Sequence, residues 1–229
     1  MTMKPNRITT ELLSLTVLLV LIFLLWESSF LIPLKVLVVF FHESAHAIAT
    51  VLTGGRVIEM QVVAEQGGHV ISAGGNRFIT LSAGYLGSLL FGMVIYAVAA
   101  TTRFDRLFMG LLGVVMLAIT LVFVTNLYAI VFGLVTAAAM IFSSRFFSHD
   151  VNDFLLRLIG LVNMLYAVLD IYSDTILNSG LRSDARMLAE EYGGATVMWG
   201  GLWIVISVIC IFKCLRWTLA RAKREQDHV

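Results

Sequence analysis

A polytopic α-helical membrane protein of about six or seven transmembrane helices, with a short β-hairpin or small sheet after one of them, is the fold class this sequence predicts. Three observations carry the expectation. The 229 residues are 59% hydrophobic and only 14% charged, with a mean hydropathy of +0.91, whereas soluble domains are about half apolar and about a quarter charged. The charges gather at the chain ends and in a few short connections, so the runs between them can sit in hydrocarbon. Finally, residues 56–76 abandon the apolar helical composition for β-branched residues around Gly67-Gly68. The whole of 1–229 reads as one membrane-embedded domain.

Residues 11–32 are expected to form the N-terminal span. Lys4 and Arg7 followed by an apolar run imitate a secretory leader, but Trp26, Glu27 and Phe30 spoil the small-residue cleavage pattern, so the segment reads as retained. Pro33 marks a turn or kink. The second span, 34–52, stops at Thr53-Gly54-Gly55, where glycine accepts the left-handed conformation that follows a helix. After the β region comes a small-residue-rich span, 78–100, in which Gly84, Gly87, Ser88 and Gly92 allow close helix packing. The run 107–142 is too long for one crossing of about 20 residues and divides into two spans near Thr125-Asn126. A span at 154–172 contains Asp170, and the last, 195–215, leads into the basic tail 216–229.

Lys4 and Arg7 place the N-terminus on the cytoplasmic side, and the basic tail places the C-terminus there too. Both hold only for an even number of spans, while these segments sum to seven. Net charge is +1 and no basic stripe is interleaved with aromatics, so nucleic acid is not an expected partner. Cys210 and Cys214, four apart in an apolar run, are neither a CxxC pair nor a disulfide framework.

The second span carries the chemistry. His42-Glu43-Ser44-Ala45-His46 is an HExxH motif. On a helix, positions i and i+4 share a face, so both imidazoles can reach one metal ion, and Glu43 is placed to take a proton from water activated there. Zinc suits such a donor set. With five histidines in the chain, a chance HExxH is expected on the order of a few times per thousand such sequences, and ionisable groups within a span are expensive enough to imply use. His69, His149 and His228 lie in loops or the tail with no spacing partner and read as solvated surface histidines.

A third protein ligand is needed. Asp170 and Asp174 stand four apart at the end of LVNMLYAVLDIYSD, and Asp170, the deeper of the two, is expected to be the ligand, with Asp174 the alternative. Asn163 lies seven residues earlier on the same helical face. Two other readings exist for these polar groups: a non-proteolytic membrane protein with a structural metal site or scaffold role, and a metal or solute transporter. The second is opposed by the absence of repeat-related broken helices.

The blocks HESAHAIATVLTGGRV, GGHV, SAGYLGSLLFG, LDIYSD and SDA, in that order over residues 40–186, resemble the site-2 proteases, intramembrane zinc metallopeptidases, and within them the compact M-fifty-B-like branch. The resemblance implies hydrolysis of peptide bonds in membrane-protein or membrane-associated peptide substrates within or beside the bilayer. It implies Zn²⁺ held by His42, His46 and Asp170, Glu43 as general base, and Asn163 in substrate or oxyanion positioning. It also implies a β region beside the active-site cleft, whose exposed edge could hold an unwound substrate by strand addition. The chain departs from better-studied members in lacking prolines after Pro33 and in following Asp170 with Ile171 rather than glycine. No PDZ-like module is expected, leaving substrate selection to the membrane core and short loops.

Overall fold

The computed structural model describes residues 7–227; Lys4 and His228 lie outside that range. The described residues form helices α1 (Arg7–Leu25), α2 (Ile32–Leu52), α3 (Arg77–Thr101), α4 (Asp105–Phe123), α5 (Leu127–Phe146), α6 (His149–Tyr172), α7 (Asp184–Tyr192) and α8 (Thr196–Asp227) and one hairpin, β1 (Arg56–Val62) and β2 (Gly68–Ala73). Among the described residues six helices are long and apolar enough to cross a membrane, in the segments Ser29–Leu52, Arg77–Thr101, Asp105–Phe123, Leu127–Phe146, His149–Leu177 and Thr196–Arg224. The protein is therefore a multi-pass integral membrane protein. Helix α1, 19 residues long, is apolar as well. It ends before Glu27-Ser28, where the Ser28 hydroxyl accepts from Phe30 N at 3.2 Å and starts a 3-10 turn, Ser29–Leu31. Pro33 does not kink the chain after it: it sits in the first turn of α2, where its missing N–H costs nothing.

Helix α2 stops where Gly54 takes φ +82°, and Gly55 N closes the end by donating to Thr50 O at 2.8 Å. The hairpin that follows is antiparallel, from Arg56 opposite Ala73 to Val62 opposite Gly68, with an irregularity between Val57 and Glu59. Met60 and Val62 are fully buried and turn the β1 face onto the bundle. The outer edge of β1 is covered by the α4–α5 connection. Thr125 N donates to Met60 O at 3.0 Å, and the Asn126 side chain accepts from Val62 N at 3.3 Å and donates to Val62 O at 2.8 Å. This is why the apolar run 107–142 breaks at 124–126: those residues pair with a strand instead of continuing a helix. Among the described residues β2 has no strand on its own outer side.

Apolar side chains gain little by leaving lipid for protein, so helices in a bilayer associate through close contact. Helices α3 and α6 do so at Gly92 and Gly160. A methyl group on Gly92 would stand 3.0 Å from Gly160 O, and one on Gly160 would stand 2.9 Å from Gly92 O.

The bundle has two distinguishable ends. At one lie the end of α2, the hairpin, the α4–α5 turn, the end of α6 and the start of α8. Thr53 Oγ1 there accepts from Asn76 N at 2.9 Å, and the Phe78 and Trp199 rings are 5.8 Å apart. At the other, Arg106 at the start of α4 donates to Ser144 O near the end of α5 at 2.9 Å. His149 at the start of α6 lies 2.9 Å from Asp105. Short helix α7 belongs to the hairpin end, pinned to the start of α3 by Arg77–Glu191 at 3.0 Å and by the rings of Phe78 and Tyr192 at 5.4 Å.

Candidate metal centre

Helix α2 presents His42 and His46 on one face, with ring centroids 4.8 Å apart. His46 Nδ1 is 2.7 Å from the carbonyl oxygen of Thr80 on α3. A carbonyl only accepts, so Nδ1 carries the proton and Nε2 keeps its lone pair, the arrangement a metal-ligating imidazole requires.

A third group meets these nitrogens from outside the spans. The Ser183 hydroxyl caps α7 by accepting from Arg186 N at 3.3 Å, which sets Asp184 in the first turn with its carboxylate turned inward. Asp184 Oδ2 lies 3.2 Å from His42 Nε2 and 3.1 Å from His46 Nε2. Four ligands at about 2 Å around a tetrahedral ion stand about 3.3 Å apart, so these spacings suit a shared cation. Burial pushes the Asp184 carboxyl up, but His46 and His42 beside it outweigh that and hold it well below the usual carboxylate range. It is thus an anion, the form that binds metal.

The carboxylate that reaches both histidines is Asp184, not Asp170 or Asp174. Asp170 approaches His42 from the opposite ring edge, 3.9 Å from Nδ1, beyond hydrogen-bond range. Asp174 accepts the phenolic proton of Tyr85 at 2.6 Å. Tyr85 packs edge-on against His42, with centroids 4.9 Å apart. Asn163 is fully buried between α6 and α3, donates to Ser88 O at 2.8 Å and does not line the cavity described below. Seven residues are two helical turns, about 10 Å along the axis, so sharing a face with Asp170 does not bring Asn163 to the same depth.

Two further features fit a bound ion. A methyl group at Gly84 would collide with His42 Nε2, His46 Nε2 and Asp184 Oδ2 together; glycine there keeps the meeting point of the three donors open. Glu43 Oε2, beside them, is buried without a hydrogen-bond partner, an expensive state for a carboxylate unless a water or ion answers it. His42, His46 and Asp184 are the group among the described residues that could hold a metal ion.

The centre opens into a cavity of about 630 Å³ whose walls include Glu43, Tyr85, Asp170, Arg182 and the β2 run from Gly68 to Ser72. Gly68 lies directly over Glu43, since a methyl group there would meet Oε1 at 2.7 Å. The hairpin histidine, His69, lines this cavity and pairs with Glu59 at 2.9 Å. Neither it nor His149, 2.9 Å from Asp105, is merely solvated.

Residues 15–214 match the pattern of the Peptidase M50B-like family. The chain belongs to that family. Its members are intramembrane metalloproteases, and among its described residues this chain has six helices long and apolar enough to cross a membrane and a His-His-Asp group that could hold a metal ion. No curated protein and no solved structure matches it. Within the matched region, Asp184 is the residue that motif reasoning passed over. The signal was a Ser-Asp pair opening a short helix, in a segment whose mixed charge disguised it as a connection.

Proposed function

We propose that this M50B-like protein is a zinc endopeptidase that cleaves membrane-protein or membrane-associated peptide substrates at the bilayer. Zn²⁺ would be held by His42, His46 and Asp184, with Glu43 as general base. The observation that carries the reading is the convergence of the three donors under Gly84, with the unpartnered Glu43 oxygen beside them. Two nitrogens, one carboxylate oxygen and an open position form the donor set of hydrolytic zinc sites.

When bound, zinc supplies Lewis-acid polarisation of the scissile carbonyl and makes water more acidic. The remaining work falls to the chain. Glu43 accepts the proton of the attacking water and returns it to the departing amine nitrogen, the role of a base within one water of the reacting atoms. Thr80 O holds His46 in the ligating tautomer. Tyr85, held by Asp174, packs edge-on against His42, and Asp170 adds a negative charge 3.9 Å from Nδ1.

A peptide in a helix hides its carbonyls in its own hydrogen bonds and must unwind before attack. The outer side of β2 offers main-chain groups for such an extended segment, and it borders the cavity at Gly68 beside Glu43. The opposite edge of the hairpin is occupied by Thr125 and Asn126, so a substrate strand has one side on which to add. Asn163, bonded to α3, acts in this reading on helix packing rather than on substrate.

The test uses purified protein in detergent and a fluorescently labelled transmembrane peptide. Cleavage that disappears in Glu43→Gln while one zinc per chain remains is the expected result. Equal cleavage by the variant would overturn the assignment and leave a structural metal site.

A further inference from the structure

Helices α4 and α5 carry a second cavity, at the end of the bundle opposite the hairpin. It is a groove of about 350 Å³ whose walls include Arg106, Leu107, Leu111 and Val114 on α4 and Ile141 and Arg145 on α5. The two helices touch along its floor. A methyl group on Gly110 would stand 3.0 Å from Ser144 Oγ, and one on Gly113 would stand 2.9 Å from Ile141 Cγ1. Beside that seam Leu107, Leu111 and Val114 follow one another at helical spacing on one face of α4, each more than half exposed. From Arg106 to Val114 the helix advances about 12 Å, so the groove runs from the end of the span into the depth of the hydrocarbon.

Both cations sit at one end of this groove. Arg106 donates through Nε to Ser144 O at 2.9 Å and through Nη2 to Arg145 O at 2.7 Å. These bonds fix the guanidinium at the mouth and leave Nη1 free among the described residues. Arg145 is exposed in the last turn of α5. Among the described residues neither arginine pairs with a carboxylate. Asp105, next to Arg106 in the chain, is met by His149 instead.

The surroundings decide what can occupy such a groove. Only 22% of the apolar stretch of α4 and 28% of that of α5 are buried within the protein, so the groove faces lipid along its length. An occupant must bring an anion to the end of the span and apolar matter below it. Guanidinium groups match phosphate oxygens with paired, charge-assisted hydrogen bonds, and basic pockets between membrane helices take the headgroups of anionic lipids. A zwitterionic headgroup carries its own cation, which two unneutralised arginines repel.

We infer that the α4–α5 groove binds one anionic phospholipid, its phosphodiester held by Arg106 and Arg145 and an acyl chain laid along Leu107, Leu111 and Val114. The charge left on the arginines selects against zwitterionic lipids, and the apolar run below them selects a lipid over free phosphate. The groove lies at the other end of the bundle from the metal centre, so its failure and the failure of the proteolytic reading are distinct.

Native mass spectrometry of the full chain released from detergent tests the site, with phosphatidylglycerol, phosphatidylcholine or inorganic phosphate added. One phosphatidylglycerol per chain is expected to persist where phosphatidylcholine does not, and excess inorganic phosphate should leave it in place. Arg145→Ala, which removes no bond that holds the helices together, should weaken binding about fivefold, and Arg106→Ala/Arg145→Ala about thirtyfold, the worth of one cation each at a lipid surface. Leu111→Trp fills the groove while keeping both arginines and should also expel the lipid. Lys223→Ala/Arg224→Ala removes two exposed cations from α8 and should change nothing. Undiminished binding in Arg145→Ala and Leu111→Trp would overturn the site. A loss in the α8 variant as large as in the arginine pair would replace it with general charge attraction, and displacement by phosphate would overturn the lipid assignment.

Discussion

His46 Nδ1 on α2 stands 2.7 Å from the carbonyl oxygen of Thr80 on α3. This contact ties the tautomer of His46 to the position of a second helix, four residues before Gly84. Helix α3 therefore does two things at the candidate centre: it orients one possible donor and leaves the meeting point of the three open. A motif on a single helix becomes a site only through that crossing.

Zinc stoichiometry should separate the three candidate carboxylates. Asp184→Ala is expected to lose bound zinc. Asp170→Ala and Asp174→Ala are expected to keep near-unit occupancy with affinity weakened about 10- to 100-fold, the range for losing an outer partner of a ligand. Elemental analysis after dialysis against a zinc buffer reads the outcome, and normal occupancy in Asp184→Ala would return the assignment to Asp170.

Glu43→Gln should reduce cleavage of a labelled transmembrane peptide by about 100- to 10,000-fold, the usual contribution of a positioned general base. Zinc content should not change, because the side chain is not among the three converging donors.

Gly84→Ala tests the open space directly. In an ordinary helix interior the exchange stabilises by about 0.5–1 kcal/mol, yet here the new methyl falls on all three donors. Unchanged helical content by circular dichroism together with loss of zinc is expected. Retained zinc would show that the donors meet elsewhere.

Asn126→Ala removes both side-chain bonds to the Val62 backbone and should loosen the hairpin by about 1–2 kcal/mol, the scale for leaving a partly buried backbone group unpaired. Faster amide exchange across residues 56–73, with α4 and α5 unaffected, would be the signature.

Arg157 lies largely buried between Glu11 and Asp153. Arg157→Ala leaves their carboxylates without a counter-charge, which in buried pairs costs about 3–5 kcal/mol. A lower unfolding temperature in detergent is expected, accompanied by release of α1 to added protease while the zinc site persists.

Much of the architecture was legible in one dimension because a bilayer imposes strong rules on composition. A run such as 107–142 cannot be one crossing, and β-branched residues around Gly67-Gly68 cannot continue a helix, so the break near Thr125-Asn126 and the hairpin follow from length and residue type. The HExxH spacing likewise names its own geometry, since i and i+4 share a helical face. Depth in an apolar run, however, says little about which distant carboxylate comes near both histidines. It favoured Asp170, which lies 3.9 Å from His42 Nδ1, whereas Asp184 lies within 3.2 Å of both Nε2 atoms.

What the sequence determined by itself is local and periodic: a membrane-spanning bundle, two histidines and a glutamate on one turn, and a strand pair after them. What only the tertiary structure decided is the company those groups keep. Asp184 is 142 residues from His42, on a helix of nine residues that lies outside the apolar spans. It reaches the site because Ser183 caps that helix and Arg77 and Phe78 pin it to α3. Helical and strand periodicity are set by neighbours a few bonds apart, while the third donor depends on contacts that exist only once the helices have packed.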